Sequence, residues 1–132
     1  SDVYKRQDEL NAFYEVFIKE KQVGFEAVKA EYEALAKANE NSWRILFAIA
    51  NVFSYNEYFK EAIPMWQKTF DCMPKPRYTD SFEAMAQCCV RMGDHESAVE
   101  YYKKELELLR EDWGLKYGAE VDALEEKIRA LQ

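Results

Sequence analysis

A chain of 132 residues with 48% hydrophobic and 33% charged side chains has globular composition, sized for one domain rather than two. Its formal net charge of -7 argues against binding a nucleic-acid backbone. Four Gly and three Pro leave too few turn signals for an all-β fold, and one His without a Gly-rich loop removes most standard catalytic motifs.

Residues 1–7 read SDVYKRQ. The string resembles, codon for codon, the translated transposase end used to tag DNA fragments (TCA GAT GTG TAT AAG AGA CAG). Segment 1–7 is therefore read as non-native and set aside from fold reasoning, leaving 8–132 as one helical domain. The same resemblance implies a metagenomic fragment whose native start is missing.

Helical periodicity begins at once. Leu10, Phe13, Phe17 and Ile18 form a first stripe, and Gly24 interrupts it. Val28, Tyr32 and Leu35 form a second, on an Ala-rich segment. The polar stretch from Asn39 to Ser42 supplies N-cap residues. Leu46, Ile49, Ala50 and Phe53 make the third stripe, followed by a turn over Ser54 to Asn56. Phe59, Ala62, Ile63, Trp66 and Phe70 make the fourth, which contains Pro64 and closes at Pro74-Lys75-Pro76. Asp80 with Glu83 reads as a capping box for a fifth helix carrying Phe82, Met85, Ala86 and Cys89. Gly93 reads as its left-handed terminator. Ala98, Val99, Tyr102, Leu106 and Leu109 form the sixth stripe. Gly114 and Gly118 bracket a turn before Val121, Leu124, Ile128 and Leu131, the seventh.

The stripes repeat. Ala62-Ile63-x-x-Trp66 and Ala98-Val99-x-x-Tyr102 lie 36 residues apart, and Val28 with Tyr32 precedes the first by 34. Two helices per period of this size mark a stacked helix-pair array. The boundaries expected are 8–41 for a degenerate repeat, 42–77 and 78–111 for clearer ones, and 112–132 for a C-terminal capping helix. Ala50, Ala62, Ala86 and Ala98 fall where paired helices should cross most closely.

With Leu46, Ile49-Ala50, Phe53, Phe59, Ala62, Trp66 and Pro74, the middle repeat resembles the tetratricopeptide repeat (TPR) family, although it lacks the turn Gly. The last repeat resembles it through Phe82, Met85-Ala86, Gly93, Ala98 and Tyr102, and departs with Cys89, His95 and Glu105. The resemblance implies an all-α, TPR-like α-solenoid of about seven helices. The stretch from Glu111-Asp112-Trp113-Gly114 to Ile128 is similar to the ending of bacterial transcriptional activator domains. On repeat logic it is a capping helix with a polar face of Glu125, Glu126, Lys127 and Arg129.

Cys72, Cys88 and Cys89 are odd in number and match no zinc or redox spacing, which points to free thiols in the cytoplasm. Adjacent Cys88 and Cys89 diverge by about 100° on a helix, so no metal is expected. His95 is expected to pack partly between helices. No two carboxylates are paired with an apolar pocket by spacing, so no enzyme activity and no cofactor are expected. No apolar run is long enough to span a membrane.

What remains is a face for partners. In a helix-pair array the first helix of each pair lines the concave groove. On the third helix Arg44, Phe47, Asn51 and Tyr55 share a face off the core stripe. On the fifth the matching face carries Glu83, Gln87, Val90 and Arg91. Amides and Arg suit a protein or peptide segment that is acidic or ends in a free carboxylate. TPR members that clamp a C-terminal carboxylate use Lys and Asn here. Asn51 is kept, but Phe47 stands where the Lys belongs. The function expected is non-catalytic protein binding through Arg44, Phe47, Asn51, Tyr55, Gln87 and Arg91. The alternatives are a regulatory or oligomerisation module of a bacterial transcription factor and an auxiliary binding domain of an enzyme.

Overall fold

The structure is a computed structural model that describes residues 2–132, with side chains described from Asp8 onward. Ser1 lies outside the described residues, as do the side chains of the rest of the adapter-like segment. Among the described residues there are seven helices and no strand. None of these helices is long and apolar enough to cross a membrane. The chain divides into two compact units, Ser1–Cys72 and Met73–Gln132.

The first unit holds α1 (Asp2–Val23), α2 (Phe25–Ala38), α3 (Trp43–Tyr55) and α4 (Phe59–Cys72). Gly24, at φ +91, makes the α1–α2 turn, which few L side chains would tolerate. Ser42 caps α3 by accepting from the Ile45 N–H, and its hydroxyl donates to Glu9 at 2.9 Å. The packing is aromatic. Phe13 lies 5.9 Å from Tyr32, and Phe25 meets Phe53 edge-on at 5.3 Å. Trp66 on α4 is the largest fully buried side chain. Ala50 and Ala62 are completely buried, as the close crossing of α3 and α4 requires. Pro64 is exposed, and α4 runs unbroken through it.

One element of the first stripe moves to the surface. Ile18 is 60% exposed and Phe17 only half-buried. Ile18 lies about 140° around α1 from Phe13, outside the arc that packs against α2. The apolar arc on α1 is wider than one neighbouring helix covers.

The second unit holds α5 (Asp80–Arg91), α6 (His95–Trp113) and α7 (Ala119–Leu131). Its core joins Ala86, Val99, Tyr102, Leu106, Leu109, Val121, Leu124 and Ile128. Gly93, at φ +79, ends α5: its N–H reaches the Val90 carbonyl and the Asp94 N–H reaches that of Cys89. The Asp94 carboxylate then caps α6 by accepting from the Ser97 N–H at 3.1 Å. Two sequence expectations fail at these helix starts. The Asp80–Glu83 capping box does not form, because Asp80 already lies inside α5 and the Glu83 carboxylate turns to Lys127 instead. His95 is exposed rather than packed, since it is the first residue of α6 after a cap already supplied by Asp94.

Candidate functional site

A groove of about 400 Å³ opens in the first unit, lined by Phe17, Glu20, Lys21, Asn51, Val52, Tyr55 and Asn56. It lies between α1 and α3, the first helices of two successive pairs. Asn51 and Tyr55 stand one turn apart on α3 and therefore share a face. The Tyr55 ring is 87% exposed, an unusual position for so large an apolar surface. Asn51 is exposed, and its amide makes no hydrogen bond among the described residues.

The opposite wall belongs to α1. Phe17 is half-buried, and the Lys21 ammonium sits 4.6 Å from its ring centroid. Glu20 accepts a 2.6 Å hydrogen bond from the Tyr32 hydroxyl. Burial, followed by that bond to a carboxylate, pushes the Tyr32 phenol well above its ordinary value. Below Tyr55, the Asn56 side-chain amide donates to the Val52 carbonyl at 2.8 Å and closes the end of α3. The groove thus offers two aromatic faces, a free amide and an ammonium.

Of the sequence-predicted residues, Asn51 and Tyr55 come together here. Arg44 lies two turns earlier on α3, about 10 Å along the axis from Asn51, with its guanidinium 4.5 Å from the Trp43 ring. Phe47 is half-buried on the turn between. Gln87 and Arg91 are exposed on α5 in the second unit. Gln87 donates to Glu83 at 3.1 Å, so its amide is partly engaged. Phe17 and Lys21 were missed by sequence reasoning, which assigned Phe17 to the core. The available signal was the surplus of apolar residues on α1, where Tyr14, Phe17 and Ile18 exceed one core-facing stripe.

A second correction concerns carboxylates. Spacing alone paired no two of them in an apolar setting, yet the second unit does so. Glu105 is 6% exposed and neighbours Glu83, which accepts from Lys127 at 2.6 Å. Burial, then the adjacent Glu83 carboxylate, pushes the Glu105 carboxyl up to about 9. Glu83 moves the other way: burial opposes its charge, but Glu105 and Lys127 hold it below the usual range. Glu105 occupies the position where the repeat pattern has a small residue, so it is packed inside.

No group of three or more metal-ligating side chains comes together among the described residues. Cys88 joins Cys89 in the buried interior, while Cys72 is half-buried.

No family model matches the chain, and no curated protein matches it. Among solved structures, it is similar to the N-terminal domain of stress-induced protein-1 (STI-1) from C. elegans. The TM-score is 0.70 at 13% identity, over 95% of this chain and 94% of that one. The likeness is one of fold, and the fold is a TPR-like all-α repeat.

Proposed function

We propose that this chain is a non-catalytic interaction module that binds a peptide segment in the α1–α3 groove. The observation that carries the reading is Tyr55, a large ring left almost wholly exposed beside the unpaired Asn51 amide. An exposed aromatic next to a backbone-pairing amide is the equipment of a peptide groove. In this reading Tyr55 and Phe17 anchor apolar side chains of the partner. Asn51 pairs with its backbone, and Lys21 receives an acidic group. Arg44, further along α3, extends the attraction for an acidic segment or a terminal carboxylate, since binding responds to the local field rather than to net charge. Similarity at 13% identity to a domain of another protein supports the fold only, so the groove chemistry supplies the argument.

The test is a displayed peptide library selected against the whole chain, with selected peptides titrated against the parent and against Asn51→Ala combined with Tyr55→Ala. The double variant is expected to lose about 1–3 kcal/mol of binding while its urea stability stays within about 1 kcal/mol. Selected peptides that bind the variant as tightly as the parent would remove the groove from consideration.

A further inference from the structure

A second concavity, in the second unit and independent of the α1–α3 groove, has a different chemistry. It measures about 390 Å³ and is lined by Tyr78, Thr79, Asp80, Leu109, Trp113, Leu115 and Glu120. Tyr78 and Trp113 are about half exposed, with ring centroids 6.4 Å apart and planes tilted by 32°. Leu109 and Leu115 supply apolar lining. The charged members are both acidic. Neither Asp80 nor Glu120 forms an ion pair or a side-chain hydrogen bond among the described residues. No Lys or Arg belongs to the lining.

The rings are held in place before any ligand arrives. The Trp113 indole N–H donates to the Arg77 carbonyl at 2.7 Å. The Arg77 backbone N–H and guanidinium both bind Asp112, at 2.8 Å and at 2.8 and 3.1 Å. With its N–H turned to the backbone, Trp113 leaves its π surface to the pocket. The only arginine of that clamp is thereby committed to Asp112 and does not neutralise the acidic rim.

We infer that this pocket takes the cationic head of an Arg or Lys side chain presented by a basic partner segment. Aromatic faces attract a cation through their quadrupole, and the two uncompensated carboxylates add a negative field. The pocket also lies at the starts of α5 and α7, where helix dipoles favour anions. Asp80 and Glu120 sit in those first turns and already satisfy that preference, which leaves the rim negative. An incoming anion meets two carboxylates, whereas a cation meets charge and π surface together.

The experiment titrates four blocked tripeptides into the full chain at constant ionic strength: acetyl-Gly-Arg-Gly-amide and its Lys, Gln and Glu counterparts. Binding is read on the indole N–H resonance of Trp113, assigned by its loss in Trp113→Phe. The Arg and Lys peptides are expected to shift this resonance saturably in the millimolar range. Asp80→Asn combined with Glu120→Gln should weaken that binding about five-fold or more, with the helical circular dichroism unchanged. The inference is overturned if the Gln peptide shifts Trp113 as far at the same concentrations, if the Glu peptide binds best, or if no peptide saturates. The wild-type comparison of four peptides decides the matter even if the double variant fails to fold.

Discussion

Glu105 of α6 is buried beside Glu83 of α5, and burial next to that carboxylate favours the protonated form of Glu105. Lys127 from α7 neutralises the ionised partner, Glu83, at 2.6 Å. Asp80, on the same helix as Glu83, adds further negative charge. The arrangement holds while Glu105 keeps its proton.

A pH dependence follows directly. An unfolded Glu titrates near 4.3, whereas folded Glu105 titrates near 9. Between these values the folded state binds more protons than the unfolded state, so stability falls as pH rises. The contribution is full below about pH 4 and gone above about pH 9. Glu105→Gln keeps the shape without the titration. Its urea-unfolding free energy should match the parent near pH 4 and exceed it by about 1 kcal/mol or more at pH 8. A constant difference between the two proteins from pH 4 to 9 would show that Glu105 holds no such proton.

Glu57 supplies a second prediction. It adopts φ +66 after α3, where its N–H meets the Ser54 carbonyl and the Tyr58 N–H meets that of Phe53. The same pair of bonds surrounds Gly93, 36 residues later, at φ +79. A left-handed L residue costs about 1–2 kcal/mol that Gly does not incur. Glu57→Gly should therefore raise stability by about 0.5–1 kcal/mol after Gly's own entropic cost. A loss of stability would mean that the Glu57 side chain contributes more than the strained backbone costs.

Trp66 offers a third. It is 1% exposed, and its indole N–H has no hydrogen-bond partner among the described residues. Trp66→Ala leaves a large cavity and should cost about 3–5 kcal/mol. Trp66→Phe leaves a smaller one and relieves a desolvated donor, a group whose burial costs about 1–3 kcal/mol. The Phe variant should therefore stay within about 1.5 kcal/mol of the parent in urea unfolding. Equal losses for Phe and Ala would show that the indole N–H is satisfied after all.

Legibility in the sequence divided along a physical line. Stripes such as Leu46, Ile49, Ala50 and Phe53 are local, because i, i+3, i+4 and i+7 must share a helix face whatever packs on it. They place the seven helices and the four buried alanines. The α1–α3 groove was half legible: Asn51 and Tyr55 stand off the core stripe, while the opposing Phe17 and Lys21 depend on how far α2 covers α1. The Glu83–Glu105–Lys127 cluster was not legible, because three helices contribute one residue each and no periodicity connects them. Arg77 and Asp112, 35 residues apart, were hidden for the same reason.

Asp112 carries the last prediction. Its carboxylate is 1% exposed and binds the Arg77 guanidinium through both oxygens, with the Arg77 backbone N–H as a third donor. The Arg77 hydrogen bond, first among the causes, holds the Asp112 carboxyl down at about 2 despite its burial. An unfolded Asp titrates near 3.9. Stability from this pair is therefore present above about pH 4 and lost as pH falls toward 2. Asp112→Asn removes the charge while keeping the size, and leaves the partly buried Arg77 without its counter-ion. The cost should be about 1–3 kcal/mol at neutral pH, shrinking toward pH 2 where the parent has lost the same pairing. The consequence reaches Trp113, whose indole N–H is held by the carbonyl of the residue that Asp112 clamps. In the variant that indole N–H should exchange with solvent faster, while the indole of Trp66, in the other unit, keeps its parental rate. An unchanged Trp113 exchange rate in Asp112→Asn would show that the indole is positioned by its own packing and not by the Arg77 clamp.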